Sequence, residues 1–317
     1  LSTDELVGKC YQFDGIMSTG PKSMANTVCG SETVLFEIKA PAGMPGLDLT
    51  QVSYFQEAMF DSPYCYIESV KKEGNNTTCF VIRIVSAGDG INRANDYESL
   101  KQYMDAKYKL QLDESIKNLD FDTVKGAIAG VESVISEYPS VGEYLLSGIT
   151  STEGIMSCNG SILSFNPRYF ADNEILPSTC REMANRGFWV SNASTISIGV
   201  HEAAHGVEMA LINANPQYIT NEQTISAWNN CIEARKIVGE ACGNIQNTEY
   251  GRNKTRTELI RSISVYGATS YSEAMAEAFA DVYANGEKAN PLSVEIKRLT
   301  YSLMEQYKGE RKNANNL

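Results

Sequence analysis

A chain of 317 residues, 43% of them hydrophobic, can bury a substantial core and has room for one large domain or two. Its formal net charge of −12, with no long basic cluster, argues against nucleic acid as a partner and against an anionic membrane surface, which would repel it. No apolar run approaches the roughly 20 residues of a bilayer span, so no membrane is expected around the chain.

The first ninety residues differ from the rest. Stretches 34–38, 64–70 and 78–85 are rich in β-branched and aromatic residues, and the last two flank a turn-like Lys71-Lys72-Glu73-Gly74-Asn75-Asn76. Ala87-Gly88-Asp89-Gly90 is the best boundary, since helical periodicity takes over after it. Residues 1–90 therefore read as a small β-rich region serving as scaffold, substrate dock or retained pro-region. Residues 91–317 read as the second domain.

Eight cysteines stand at 10, 29, 65, 79, 158, 180, 231 and 242, an even number with no CxxC. They group as neighbours, so sequential pairing is expected, Cys10 with Cys29, Cys65 with Cys79, Cys158 with Cys180 and Cys231 with Cys242, although eight cysteines admit 105 pairings. Such pairing implies a secreted protein. Sequons at Asn75, Asn76, Asn159, Asn192 and Asn253 permit glycosylation. The chain opens at Leu1 without a charged-then-apolar leader, so the exported protein is expected here in its processed form.

Past the boundary, helices are expected over 95–109, 121–137, 194–213, 221–238, 254–264, 272–284 and 291–307. A strand is expected over 161–166. With a free edge at the rim of a cleft, it could hold an extended peptide by strand addition. The fold class is α+β.

Only two histidines occur, and both lie in His201-Glu202-Ala203-Ala204-His205. On a helix, positions i and i+4 share a face, so the two imidazoles can take two corners of a zinc tetrahedron while Glu202 reaches a water as general base. The flanking Ile196, Ile198, Val200, Val207, Met209, Ala210, Leu211 and Ile212 make this helix apolar on most faces, and Pro216 bounds it.

A third ligand is needed. Downstream, Glu273, Glu277 and Asp281 recur every fourth residue among Ala274, Ala276, Ala278 and Ala280, an acidic stripe on a helix that can approach another closely. Two readings compete for Glu273. Ser270 and Glu273 fit a capping box that would spend the glutamate on backbone, and carboxylate oxygen is also an accepted zinc donor. Glu277, one turn on, could take the far N–H of a ligand histidine and fix its tautomer.

HEAAH together with Tyr266-x6-Glu273-x3-Glu277-Ala278-Phe279 resembles the catalytic signature of the anthrax lethal-factor-like zinc peptidases, a zincin-type family that includes secreted Pro-Pro endopeptidases and peptidase domains of phage minor head proteins. The likeness to the phage type extends through 95–139, 161–170 and 283–292, so it covers roughly residues 93–310. It implies zinc on His201, His205 and Glu273, Glu202 as general base, and Tyr266 stabilising the transition state. The departures are Ala203, where a bulky residue is common, Ala204, where glycine commonly precedes the second histidine, and the cysteines, unlike those of intracellular phage members.

The expected function is a secreted, monomeric zinc endopeptidase acting on a protein or peptide substrate. The alternative is a secreted binding or toxin-like protein whose zinc site is structural or inactive.

Overall fold

The structure is a computed structural model that describes the strands of residues 10–12, 16–19, 33–39, 47–48, 58–61, 64–73 and 77–86, positions 91 and 94, and residues 96–314. The chain divides into two compact units, Leu1–Arg93 and Ala94–Leu317.

In the first unit, β1 (Cys10–Gln12), β6 (Tyr64–Glu73), β7 (Thr77–Ser86) and β3 (Thr33–Lys39) form one sheet in that order. β6 and β7 make an antiparallel hairpin, and β3 runs parallel to β7. A second, antiparallel sheet joins β2 (Ile16–Thr19), β5 (Ala58–Asp61) and β4 (Leu47–Asp48). The hairpin register corrects one expectation: Cys79 lies opposite Lys71, while Cys65 lies opposite Ile84. At about 3.3 Å per residue, roughly 20 Å of strand separates Cys65 from the position facing Cys79, far beyond disulfide reach. Cys79 is buried and free.

The second unit is α+β and mainly helical. Its helices are α1 (Tyr97–Tyr108), α2 (Phe121–Glu137), α3 (Pro167–Phe170), α4 (Ile175–Asn185), α5 (Thr195–Ala214), α6 (Asn221–Asn229), α7 (Ile232–Gln246), α8 (Arg256–Arg261), α9 (Tyr271–Asn285) and α10 (Pro291–Ala314). Four short strands, β8 (Gln111–Leu112), β9 (Ser147–Thr150), β10 (Met156–Cys158) and β11 (Ile162–Phe165), make a mixed sheet of order β10-β11-β9-β8. β11 is therefore internal, antiparallel to β10 and parallel to β9. The strand expected to offer a free edge has both edges paired, and β10 holds the rim position instead.

Helix α5 runs through the core. Ser194 opens it with a reciprocal cap, its hydroxyl accepting the Ser197 N–H while the Ser197 hydroxyl accepts the Ser194 N–H. Val200, Ala203, Ala204, Val207, Ala210 and Leu211 are all buried. On one side α5 meets α2 backbone to backbone: a Cβ at Gly199 would stand 1.8 Å from the Ala127 carbonyl oxygen, and one at Gly130 2.0 Å from that of Ile196. Only glycine fits that crossing. On another side α9 presents Ala274, Ala276, Ala278 and Ala280, all buried, and their small side chains permit a close approach.

The single helix expected over 221–238 is broken in two. Cys231 adopts a left-handed conformation, φ 48°, between α6 and α7. The chain restarts there because Ala234, Ile237, Val238, Ala241, Cys242 and Ile245 form a new apolar stripe at helical spacing. Cys231 and Cys242 thus sit about 16 Å apart along one helix and cannot pair. Cys158, Cys180, Cys231 and Cys242 are free, so neither pair expected in this unit forms. Cys29, and with it the Cys10 pairing, lies outside the described residues. Among those residues, no helix is long and apolar enough to cross a membrane.

Candidate metal centre

Two buried helices build the site. His201, Glu202 and His205 lie on successive turns of α5 and are 5%, 8% and 8% exposed, so each needs a partner to offset lost hydration. The two imidazoles find theirs on α9. Ser270 caps α9, its hydroxyl accepting the Glu273 N–H at 3.1 Å. The Glu273 carboxylate turns instead to the imidazoles, with Oε2 3.0 Å from His201 Nε2 and 3.7 Å from His205 Nε2. Of the two readings of Glu273, half the capping box forms and the carboxylate serves the histidines. The three donor atoms lie within 4.8 Å of one another and could hold a metal ion.

The outer nitrogens are both occupied. His201 Nδ1 stands 3.0 Å from Glu277 Oε1, and Glu277 Oε2 accepts the Val190 N–H at 3.2 Å. His205 Nδ1 stands 3.0 Å from the Ser272 hydroxyl, which donates to Glu208 Oε2 at 2.5 Å. Ser272 and Glu208 were missed in the sequence. A buried carboxylate three residues past His205 on an apolar helix was the available signal. Asp281, the third acid of the stripe, stays away from the imidazoles: it accepts from Asn285 Nδ2 and from the Asn290 N–H and closes the end of α9. The acidic stripe thus divides into an inward carboxylate, a partner for one imidazole, and a turn anchor.

Tyr266 begins a 3-10 turn over Tyr266–Thr269, its N–H bonded to the Phe188 carbonyl at 2.9 Å. Its ring stacks on His201 with centroids 5.7 Å apart, and its hydroxyl lies near the Glu273 carboxylate and favours its charged form. The Cys158 N–H on β10 lies near Glu202 and favours its ionised form. Met156, on the same strand, lines both lobes of the cleft, cavities of about 590 and 360 Å³ that share His201, Glu202 and Tyr266. The larger lobe is walled by Tyr169, Phe188 and Trp189, the smaller by Trp228 and Cys231.

Charge is crowded here. Burial pushes the Glu202 carboxyl up to about 8, because the ionised form loses its water, and the nearby Glu273 adds to the rise. Burial also lowers His205 to about 4, reinforced by charge on His201. His201 is pulled down by burial, but its hydrogen bonds to Glu273 and Glu277 outweigh that and hold it well above 6.5. For Glu273 burial pushes upward, and its bond to His201 overcomes this, so it titrates below the usual carboxylate range. Burial raises Tyr266, and the charges of Glu273 and Glu202 raise it further. Glu208 is pushed up to about 7 by burial.

No family model matches this chain, and no curated protein matches it.

Proposed function

We propose that the second unit is a zincin-type zinc endopeptidase, with His201, His205 and Glu273 as the metal ligands. The observation that carries this reading is the convergence of two Nε2 atoms and one carboxylate oxygen from two helices, with both outer imidazole nitrogens already held. The donor set fits zinc. Ligand atoms about 2.05 Å from a tetrahedral ion stand about 3.3 Å apart, and the 3.0 and 3.7 Å separations bracket that figure.

Zinc held there supplies a Lewis acid that polarises a carbonyl and acidifies water. The chain's own residues do the rest. Glu202, buried beside the ligands, takes the proton of the attacking water and returns it to the leaving amine, general acid–base work worth roughly 10²- to 10⁴-fold. A divalent charge beside it favours the ionised carboxylate needed for the first step. Tyr266 aims its hydroxyl where the oxyanion develops. The rim strand β10 offers backbone groups to an extended peptide across the two lobes, which gives a polypeptide rather than a small molecule as the substrate. Secretion was expected from cysteine pairing and loses part of that support, since Cys79, Cys158, Cys180, Cys231 and Cys242 are free.

The test is metal analysis with cleavage of a diverse peptide library, sequenced at the new termini. The wild-type chain should carry one zinc and cut, and Glu202→Gln should keep the zinc and lose at least about 100-fold in turnover. A chain that binds zinc but leaves every peptide intact would make the site structural.

A further inference from the structure

The two ligand imidazoles are held by different devices. His201 has a carboxylate directly on Nδ1, as Glu277 stands 3.0 Å away. His205 has a hydroxyl there, and behind the hydroxyl a buried carboxylate that reaches neither the cleft nor the metal ligands: Ser272 Oγ is 3.0 Å from His205 Nδ1 and 2.5 Å from Glu208 Oε2. Glu208 is 1% exposed. Its Oε1 has no hydrogen-bond partner among the described residues, so its one strong contact is the one to Ser272.

A hydroxyl has a single proton. An ionised Glu208 only accepts, so that proton must go to Oε2, and Oγ then presents only lone pairs to His205. The hydrogen between Oγ and Nδ1 must therefore belong to the imidazole. Burial pushes the Glu208 carboxyl up to about 7, and its bond to Ser272 works against that rise, so above that pH the carboxylate is ionised and can only accept.

We infer that Glu208, acting through the Ser272 hydroxyl, is a positioning residue that holds His205 in the Nδ1–H tautomer and so leaves the Nε2 lone pair facing Glu273 and the metal position. The inference rests on the reading of His205 as a metal ligand. An imidazole without this constraint can turn its protonated nitrogen inward, where it cannot bind a metal. The arrangement does for His205 what Glu277 does for His201, with the hydroxyl bridging a distance that the carboxylate on α5 cannot span directly.

The experiment uses the full chain with ¹⁵N-labelled histidine. Only two imidazoles contribute signals, and a His201→Gln variant assigns them. In metal-free wild type the His205 ring should show a protonated Nδ1 and a bare Nε2. Ser272→Ala should move that ring toward the Nε2–H form and weaken zinc binding, read by chelator competition, by roughly 10- to 100-fold. Ser272→Thr should restore both. Glu208→Leu, which suits an apolar helix, should reproduce the tautomer change even if Ser272→Ala folds poorly. A neutral Glu208 would send the protons the other way, so finding Nε2–H on His205 in the wild type overturns the inference. So does an unchanged tautomer in both Ser272→Ala and Glu208→Leu. Neither readout needs peptide hydrolysis. A tautomer that depends on Ser272 in a chain that never cuts a peptide would keep this inference and sink the peptidase reading.

Discussion

Helix α5 carries one buried polar cluster at its middle and another where it ends, and the two are built on opposite plans. At the end, Glu233 is 1% exposed and fully answered by donors. Asn215 Nδ2 and the Tyr218 hydroxyl reach its Oε1 at 2.7 and 3.2 Å, and the Tyr307 hydroxyl reaches Oε2 at 2.9 Å. Lys236 in turn donates to Tyr307 at 3.1 Å. This cluster ties α5, α7 and α10 together and closes on itself. In the middle, the outer atoms are tied down in the same manner, but the inner ones, two Nε2 atoms and Glu273 Oε2, are turned toward one another. Inner atoms that are all potential acceptors are best joined by a cation. A buried carboxylate therefore signals structure when neutral donors surround it and chemistry when imidazole nitrogens do.

The strongest way to break that contrast is to truncate one carboxylate from each cluster. Glu273→Ala removes a ligand and should weaken zinc binding by more than about 100-fold, beyond the range seen when only a supporting partner is lost, while the metal-free chain stays folded. Glu233→Ala strands three donors and should cost about 3 kcal/mol, since unsatisfied buried groups cost about 1–3 kcal/mol each and some will find water. That corresponds to roughly 6–12 °C in melting temperature for a unit of this size, with zinc affinity unchanged. If Glu233→Ala released the metal, or Glu273→Ala unfolded the chain, the two clusters would not be distinct in kind.

How far the sequence shows these clusters depends on how local each signal is. Helix α5 was expected over 194–213 and runs Thr195–Ala214, because an apolar run with a serine cap before it is written in consecutive residues. Glu273 and Glu277 were legible for the same reason: a four-residue spacing on a helix fixes which face they share. The break at Cys231 was not legible, since a left-handed residue with a side chain follows no strong local pattern. β10 is only three residues long and carries no alternation to read, so the rim strand was misplaced onto β11. Cysteine pairing and the Ser272–Glu208 contact fail for one cause. Both depend on which distant segments meet, and neighbourhood in sequence says little about that.

A smaller effect sharpens the comparison within the cleft. Tyr266→Phe keeps the ring that stacks on His201 at 5.7 Å and packs on Phe188 at 5.6 Å, and removes only the hydroxyl. Turnover should fall by roughly 10²- to 10³-fold, the range for loss of one oxyanion donor, with zinc content and melting temperature unchanged. Unchanged turnover would return Tyr266 to the role of a packing residue.

The smallest expected effect separates the clusters by pH. In the metal-free chain His201 titrates well above 6.5, so its contribution to stability is complete below 6.5 and is lost as pH rises through the folded value. Glu202, raised to about 8, and Glu208, raised to about 7, also bind protons in the folded chain that the unfolded chain has released, and they act in the same direction. His205, lowered to about 4, opposes them only below 6.5, where the unfolded imidazole is protonated and the folded one is not. Between pH 6.5 and 8 His201, Glu202 and Glu208 therefore each make the metal-free chain less stable as pH rises, by up to about 1.4 kcal/mol per pH unit for each proton. Zinc replaces the proton shared between His201 and Glu273, so the loaded chain should lose this slope and should release a proton on loading, measurable as a buffer-dependent heat of binding. Melting curves in chelator and in zinc across that window decide it. A metal-free chain that gains stability from pH 6.5 to 8, or a His201→Gln variant that keeps the wild-type slope, would show that the central cluster does not hold the protons assigned to it.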